Sequence, residues 1–407
     1  MIGVRQAQQI VLSELPRLPV EHVGLDLAGG RALAAGITSD RDIPPFRNSA
    51  MDGYALRSSD LTSPQPTVFE VIETIAAGTV PARRIEPGTA AMIMTGAIVP
   101  DGADAVVRVE DTERDGAKVT VLRPVQPGAN VRLAGEDIRR GNAVLAAGHS
   151  LRPADVGVLA SLGVTRVPVA RRPTVAILTT GDELVEPDQT VAPGQIVNSN
   201  AYTLAAAVQQ AGGIPHVLGI VRDVREQTRA AFETAFTYDL VLSTGGVSMG
   251  VFDLVREVLA SLGVIERFWK VAQKPGKPIS FGMRGATPVF GLPGNPVSSL
   301  VCFHLYVQPA LRAMQGLREL HLPAVRATST TELRTAAGMT EFVRCLLTGP
   351  LDDLRVQPTG TQSSAALRSM SLGDGLLVSP PEQSHIAAGE RVTVLLLEQR
   401  FTAEAAV

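Results

Sequence analysis

Four short stretches each combine glycine or proline with charged and hydroxyl side chains. They are residues 179–184 (Thr-Thr-Gly-Asp-Glu-Leu), 244–250 (Thr-Gly-Gly-Val-Ser-Met-Gly) with Asp253 beyond, 270–278 (Lys-Val-Ala-Gln-Lys-Pro-Gly-Lys-Pro) and 291–298 (Gly-Leu-Pro-Gly-Asn-Pro-Val-Ser). Each follows a short apolar run. The acids Asp182, Glu183, Asp223 and Asp253, the cations Lys270, Lys274 and Lys277, and the amides beside the glycines would suit a polyanion and a divalent cation. Mg²⁺ takes a few carboxylates and shares its other positions with water and phosphate. Lysine acts as a point charge on an oxyanion. Glycine lets backbone N–H groups approach a ligand, and a following helix N-terminus adds donors. Taken singly, each stretch also reads as plain punctuation. The 244–250 stretch can be a bare strand-to-helix turn, and 274–278 a solvated hairpin turn. Residues 291–296 can simply end a strand, Asp182 and Glu183 can cap a helix, and Asp223 can stop a strand. Recurrence after four strands favours a site.

The elements that must position these stretches lie in residues 173–318. Apolar runs at 175–178, 216–220, 240–242, 267–271, 279–281 and 289–290 predict strands. Amphipathic stretches at 201–210, 226–236, 254–262 and 297–314 predict helices. Strands alternating with helices imply a three-layer α/β domain with a largely parallel sheet. Ligands of such sheets bind at the carboxyl ends of the strands, where all four stretches would then meet.

Around this domain the pattern changes. Residues 4–15 predict a helix stopped by Pro16, with a second amphipathic piece at 29–35. The segment 43–55 is stiff, polar and turn-like. It reads as a linker or as a loop whose Asn48, Ser49 and Asp52 hold a polar ligand. Short β runs separated by Pro-Gly and Asp-Gly turns mark a β-rich inserted domain at 46–144. Residues 1–45 and 145–172 would form a discontinuous N-terminal domain, and 319–407 a small all-β C-terminal domain. The 407-residue chain has a net charge of −3 and 4% aromatic residues, which argues against nucleic-acid binding. Cys302 and Cys345 show no metal or disulfide spacing. No signal core opens the chain and no apolar run approaches the ~20 residues of a membrane span. The expectation is a soluble cytoplasmic protein with no membrane contact.

The order of motifs is itself informative. Pro44-Pro45-Phe46, Asn48-Ser49-Ala50-Met51-Asp52-Gly53-Tyr54-Ala55, Met94-Thr95-Gly96-Ala97, Gly135-Glu136-Asp137-Ile138, Thr180-Gly181-Asp182-Glu183-Leu184, Gly245-Gly246-Val247-Ser248, Lys274-Pro275-Gly276-Lys277-Pro278 and Gly291-Leu292-Pro293-Gly294-Asn295-Pro296-Val297-Ser298 follow one another along nearly the whole chain. Together they closely resemble the MoeA family of molybdopterin molybdenumtransferases, which is also similar to the gephyrin E domain. The resemblance implies insertion of molybdenum from molybdate into the dithiolene of adenylylated molybdopterin, with Mg²⁺-dependent release of AMP. It implies a multidomain α/β plus β fold with a β-barrel-like C-terminal domain. It also implies an elongated homodimer with the cleft between subunits, and contacts with the molybdopterin adenylyltransferase and with molybdoenzymes.

By the same resemblance, Asp52, Thr95 and Asp137 are loop residues contributed from the N-terminal region. Glu183, Asp223 and Asp253 form the acidic set, with Glu183 and Asp253 at the metal. Lys270, Lys274 and Lys277 bind phosphate and molybdate. Thr180, Gly181, Gly245, Gly246, Ser248 and Pro278 bind substrate, and Pro293, Pro296 and Ser298 bind it by shaping the oxyanion loop. Arg344 meets molybdate, and Ser364 lies in a second C-terminal segment. Three positions depart from the family pattern: Arg47 stands where many relatives have an acid, Val251 where glutamate is common, and Gly373-Asp374-Gly375 replaces an Ala-Asn-Gly-like turn. Two other readings fit parts of the sequence. Adenylylation of molybdopterin resembles a stand-alone α/β domain, which the β-rich parts disfavour. A non-catalytic molybdopterin-binding scaffold would lack the acids or lysines, and all are present.

Overall fold

The apolar run Thr174–Thr180 is buried along almost its whole length, as a strand covered by helices on both faces must be. The structure, a computed structural model, describes residues 1–61, 66–245 and 251–397, and of residues 251–253 the backbone alone. In chain order the main helices are α1 (Val4–Glu14), α2 (Pro153–Ser161), α3 (Ser199–Gln210), α4 (Arg225–Ala235), α5 (Val251–Ser261), α6 (Pro296–Cys302) and α7 (Gln308–Met314).

The central six-stranded sheet runs in the order Ile214–Val221, Thr174–Thr180, Leu240–Gly245, Thr287–Leu292, Ser280–Arg284 and Ile265–Trp269. The first four strands are parallel to one another, and Ser280–Arg284 runs against its two neighbours. Alternate residues point to opposite faces. Val175, Ile177, Leu240 and Leu242 therefore join one core with Leu204 and Val208 of α3, together with α6 and α7. Ala176, Leu178 and Val241 join the other core with Phe232 of α4 and Val255 and Val258 of α5. This is the expected three-layer arrangement.

Helix α1 departs from the expected grouping of residues 1–45 with 145–172. Its Ala7 and Val11 are buried in the α/β core. The discontinuous unit begins in packing terms with the strand Val20–Gly24, which pairs antiparallel with Arg166–Ala170. Prolines at 16 and 19 turn the chain between the two. The amphipathic piece at 29–35 is not a helix. It follows a single 3-10 turn at Leu25–Leu27 and makes isolated bridges from Ala32 to Ser150 and from Leu33 to Val169.

The predicted long helix at 297–314 is interrupted. Helices α6 and α7 are joined through a π turn at Phe303–Val307. Pro309 supplies no N–H to the carbonyl one α-turn back, at Leu305. That oxygen accepts instead from Gln8 Nε2 of α1 at 3.0 Å.

The inserted sheet orders Ala105–Arg108, Gly53–Leu56, Thr89–Ile93, Thr67–Ile75, Lys118–Val121 and Thr112–Asp115, with separate apolar clusters on its two faces. At the C-terminus, Thr340–Thr348, Arg355–Pro358, Ala324–Ser329, Arg391–Leu396 and Gly375–Ser379 close into a five-stranded barrel, because the last strand pairs back with the first. Closure removes free sheet edges. Among the described residues no helix is long and apolar enough to cross a membrane.

Helix α2 shows how the discontinuous unit is pinned. Asp155 Oδ2 accepts from the Arg152 backbone N–H at 2.8 Å and pairs with the Arg152 side chain at 3.1 Å and His149 Nε2 at 2.8 Å. The Arg152 guanidinium holds the buried carboxyl well below the usual carboxylate range, with the Arg152 amide and His149 adding to it against the effect of burial. A carboxylate depressed on folding stabilises above its unfolded pKa of about 4 and loses that contribution as pH falls through the folded value. Asp155→Asn is therefore expected to flatten the loss of stability on acidification from about pH 5 to 2, read by urea denaturation at each pH.

Candidate active site

Register decides where the four stretches end. Thr180 lies opposite both Gly245 and Val221, and Thr244 lies opposite Leu292. Three parallel strands thus finish side by side, with Asp223 just beyond a fourth. Ser280 lies opposite Gly291, and Trp269 opposite Ser280. The chain leaving Trp269 and returning at Ser280 therefore places the lysine stretch on the same edge. The described residues of all four stretches, for the second Thr244 and Gly245, meet at one rim, as the alternating pattern predicts.

The rim encloses a cleft of about 520 Å³, walled by Thr180, Gly181, Glu183, Asp223, Gly245 and Pro296 among others. Two glycines hold backbone angles that side chains disfavour, and at Gly245 another backbone also lies too close for a Cβ. Gly245 has φ +100°, and a Cβ there would lie 2.1 Å from the Thr180 carbonyl oxygen. Gly181 has φ +148°, and its Cβ would meet the Glu183 carboxylate at 2.6 Å. L side chains rarely adopt such backbone angles. Thr180 Oγ1 is buried and has no hydrogen-bond partner, so the cleft wall holds a hydroxyl with unused capacity.

Two asparagines that pattern reading did not single out fix these loops. Asn200 Nδ2 donates to Thr244 Oγ1 at 3.0 Å and to the Gly294 carbonyl at 2.8 Å. Thr244 Oγ1 in turn donates to the Pro293 carbonyl at 3.0 Å. Asn198 caps α3 through the Ala201 N–H and donates to Thr179 Oγ1 at 2.9 Å. Asn-Ser-Asn directly ahead of a helical pattern is an N-cap signature and could have drawn attention to them.

The acids gather on one side. Burial pushes the Asp223 carboxyl up, and the neighbouring Asp182 and Glu183 charges push it further, with Arg222 opposing. Arg222 itself is held by the Asp182 carbonyl at 2.7 Å. Among the described residues no three His, Cys, Asp or Glu side chains form a metal cluster. Gly246 and Ser248 lie outside the described residues, as does the side chain of Asp253, whose backbone is in the first turn of α5.

The lysines occupy the other side. Lys270 has φ +68° and places Nζ 3.6 Å from the Trp269 ring centroid, a cation–π contact. The strand Gln273–Lys274 pairs with the barrel strand at Thr340 and Glu341. Lys274 Nζ meets the buried Glu341 carboxylate at 2.8 Å, whose other oxygen accepts from the Ala336 N–H. Lys277 is exposed and Pro278 is half-buried.

The sequence matches three family models in order: the MoeA N-terminal region (domains I and II) over residues 2–163, the probable molybdopterin binding domain over 176–313, and the MoeA C-terminal region (domain IV) over 326–397. A Nostoc sp. protein named molybdopterin molybdenumtransferase is 38% identical, across 98% of this chain and 94% of its own length. A Mycobacterium tuberculosis protein named molybdopterin molybdenumtransferase 2 is 36% identical, across 97% and 99%. The chain belongs to the MoeA family. The fold agrees: the crystal structure of the molybdopterin biosynthesis MoeA protein from Pyrococcus horikoshii OT3 superposes with a TM-score of 0.85 at 33% identity, covering 97% of this chain and all of that one.

Other MoeA-like positions lie apart from the cleft or behind it. Asp52 accepts from the Thr95 N–H at 2.6 Å and its hydroxyl at 2.8 Å, which hold its carboxyl below the usual range. Both residues are exposed on the inserted domain, as is Asp137, and none of the three walls the cleft of its own chain. Arg47 reaches toward the Ala103 carbonyl. Pro293 and Ser298 are buried behind the cleft wall. Arg344 is only 1% exposed and donates to the Thr361 and Ser363 carbonyls at 3.2 and 3.0 Å and to Ser369 Oγ at 3.1 Å. It thereby shapes the loop whose Ser364 carbonyl accepts from the Val297 N–H at 3.1 Å.

Asn200→Ala removes two hydrogen bonds between loops and is expected to cost about 1–2 kcal/mol of stability in denaturant melts. Gly245→Ala must displace the Thr180 backbone and is expected to cost about 2 kcal/mol or more of stability in denaturant melts.

Proposed function

We propose that this MoeA-family protein is a molybdopterin molybdenumtransferase that inserts molybdenum from molybdate into the dithiolene of adenylylated molybdopterin, with Mg²⁺-dependent release of AMP. The observation that carries the reading is the meeting, at one strand edge, of a glycine-floored cleft bearing acids and a loop bearing lysines. Neither half alone would serve a reaction that brings a phosphoanhydride substrate together with a metal oxyanion.

In this reading the amides around Gly181 and Gly245 receive the adenylyl phosphate. Preorganised donors of this kind stabilise charge without reorganising during reaction. Lys270, Lys274 and Lys277 draw in the molybdate dianion and the pterin phosphate, while Pro278, Pro293, Pro296 and Ser298 keep the loop shapes. The crowding that raises Asp223 suits a cation, since a positive charge placed among these carboxylates would relieve their repulsion. Glu183 and Asp253 would hold Mg²⁺ together with water and substrate, and Asp223 would orient water or hold a proton. When bound, Mg²⁺ supplies charge neutralisation on the phosphates. Arg344 would act on molybdate through the loop of Ser364.

The exposed Asp52–Thr95 pair and Asp137 would reach the cleft of a second copy, making the working unit a homodimer. Their absence from the cleft of their own chain supports this. The two buried cysteines, unpaired, accord with a cytoplasmic location.

The test is direct. Folded protein with adenylylated molybdopterin, molybdate and Mg²⁺ is expected to yield AMP and active molybdenum cofactor, and chelation of the divalent cation is expected to stop AMP release. Asp253→Ala should lower turnover by about 100-fold with the fold retained. No AMP from folded protein under these conditions would refute the activity, and an unchanged Asp253→Ala rate would remove that residue from its role.

A further inference from the structure

Gln273 is fully buried, yet it is polar and sits in the middle of the lysine stretch. Burying an amide is costly unless its bonds are made. Here each goes to a specific neighbour. Nε2 donates to the Pro275 carbonyl at 3.0 Å and lies 3.5 Å from Cys302 Sγ. Oε1 accepts from the Tyr306 hydroxyl. Cys302 Sγ donates to the Gly276 carbonyl at 3.4 Å.

The loop rests tightly on these groups. Gly276 has φ +91°, and a Cβ there would lie 2.5 Å from Cys302 Sγ and 2.8 Å from Gln273 Nε2. Cys302 ends α6, and Tyr306 follows it in the π turn. Burial pushes both the Cys302 thiol and the Tyr306 hydroxyl up, so both keep their protons as donors. Helix α6 therefore walls the cleft at its first residue, Pro296, and holds the underside of the lysine loop from its last.

We propose that Gln273 is a positioning residue: through Tyr306 and the Pro275 carbonyl it sets the lysine loop at a fixed place on α6, and so fixes Lys274 and Lys277 relative to the cleft wall that begins the same helix. The inference rests on the reading of those lysines as oxyanion ligands. It assigns the buried amide to geometry rather than to chemistry.

Cys302 gives the test a readout independent of turnover, because the lysine loop covers it, whereas Cys345 is buried inside the barrel. The full-length variants Gln273→Leu and Tyr306→Phe are labelled with a thiol reagent, and mass spectrometry of the peptides separates the two cysteines. Gln273→Leu is expected to speed labelling of Cys302 by about 10-fold, equivalent to about 1.4 kcal/mol, with Cys345 unchanged. The KM values for molybdate and for adenylylated molybdopterin should both rise by about as much, while kcat with both substrates saturating stays within about two-fold. Tyr306→Phe should act in the same direction, and the double variant should add little to Gln273→Leu, as members of one network do. If Gln273→Leu fails to fold, Tyr306→Phe alone carries the test. Equal acceleration at both cysteines, or an unchanged rate at Cys302, overturns the proposal. Lys274→Ala and Lys277→Ala separate the two claims. If neither raises the KM for molybdate, the oxyanion reading fails, while Cys302 labelling still decides whether Gln273 holds the loop.

Discussion

The register between parallel strands is the constraint on which the cleft depends. Thr180, Gly245 and Leu292 end their strands within one residue of a common line. The backbone at Gly245 then passes so close to the Thr180 carbonyl that no Cβ fits between them. Side-chain period along a strand is two, so a shift of one residue would turn each apolar side chain to the wrong face. The two cores on opposite faces of the sheet thereby lock the strand ends, and the strand ends set the spacing of the loops.

Polar side chains then hold the loops where the strands leave them. Asn200 ties the second loop to the fourth, Gln273 ties the third to Cys302 of α6 and to Tyr306 of the π turn, and Arg344 ties the barrel's 361–363 turn to its own wall. A buried polar group is expensive when unpaired, so each of these partners specifies one arrangement rather than merely favouring contact. The crowded acids beside Asp223 are different. Burial and the Asp182 and Glu183 charges raise the Asp223 carboxyl, and Arg222 offsets part of that rise.

Much of this was legible in the sequence because local pattern and global fold agree. The runs around 175–178, 240–242 and 289–290 are apolar and bounded by glycine, and they are the buried parallel strands. The lysine stretch reads as a loop after one strand and before another, and topology carries it to the same rim. Legibility failed where a long-range partner decides. Residues 29–35 have helical spacing, but pairing with Ser150 and Val169 wins. Helix α1 has no local sign of which unit it joins; its apolar stripe finds the α/β core. Arg344 looks like a ligand by motif, and only the fold shows its guanidinium occupied with carbonyls. Asn200 was signalled only by the N-cap pattern ahead of α3, and nothing in the type of Gln273 announces the loop that it holds.

The barrel's closure has a mechanical consequence. Its five strands satisfy one another all the way round, so the barrel behaves as a stiff body. That body is stitched to the lysine stretch through Gln273–Thr340 and Lys274–Glu341 pairing, with an ion pair on top. The C-terminal unit cannot tilt away from the α/β sheet without dragging Lys274 along or tearing that seam. A load that tilts the barrel would therefore pull on the lysine loop as well as on the packing of Phe342 and Leu376 in the α/β core.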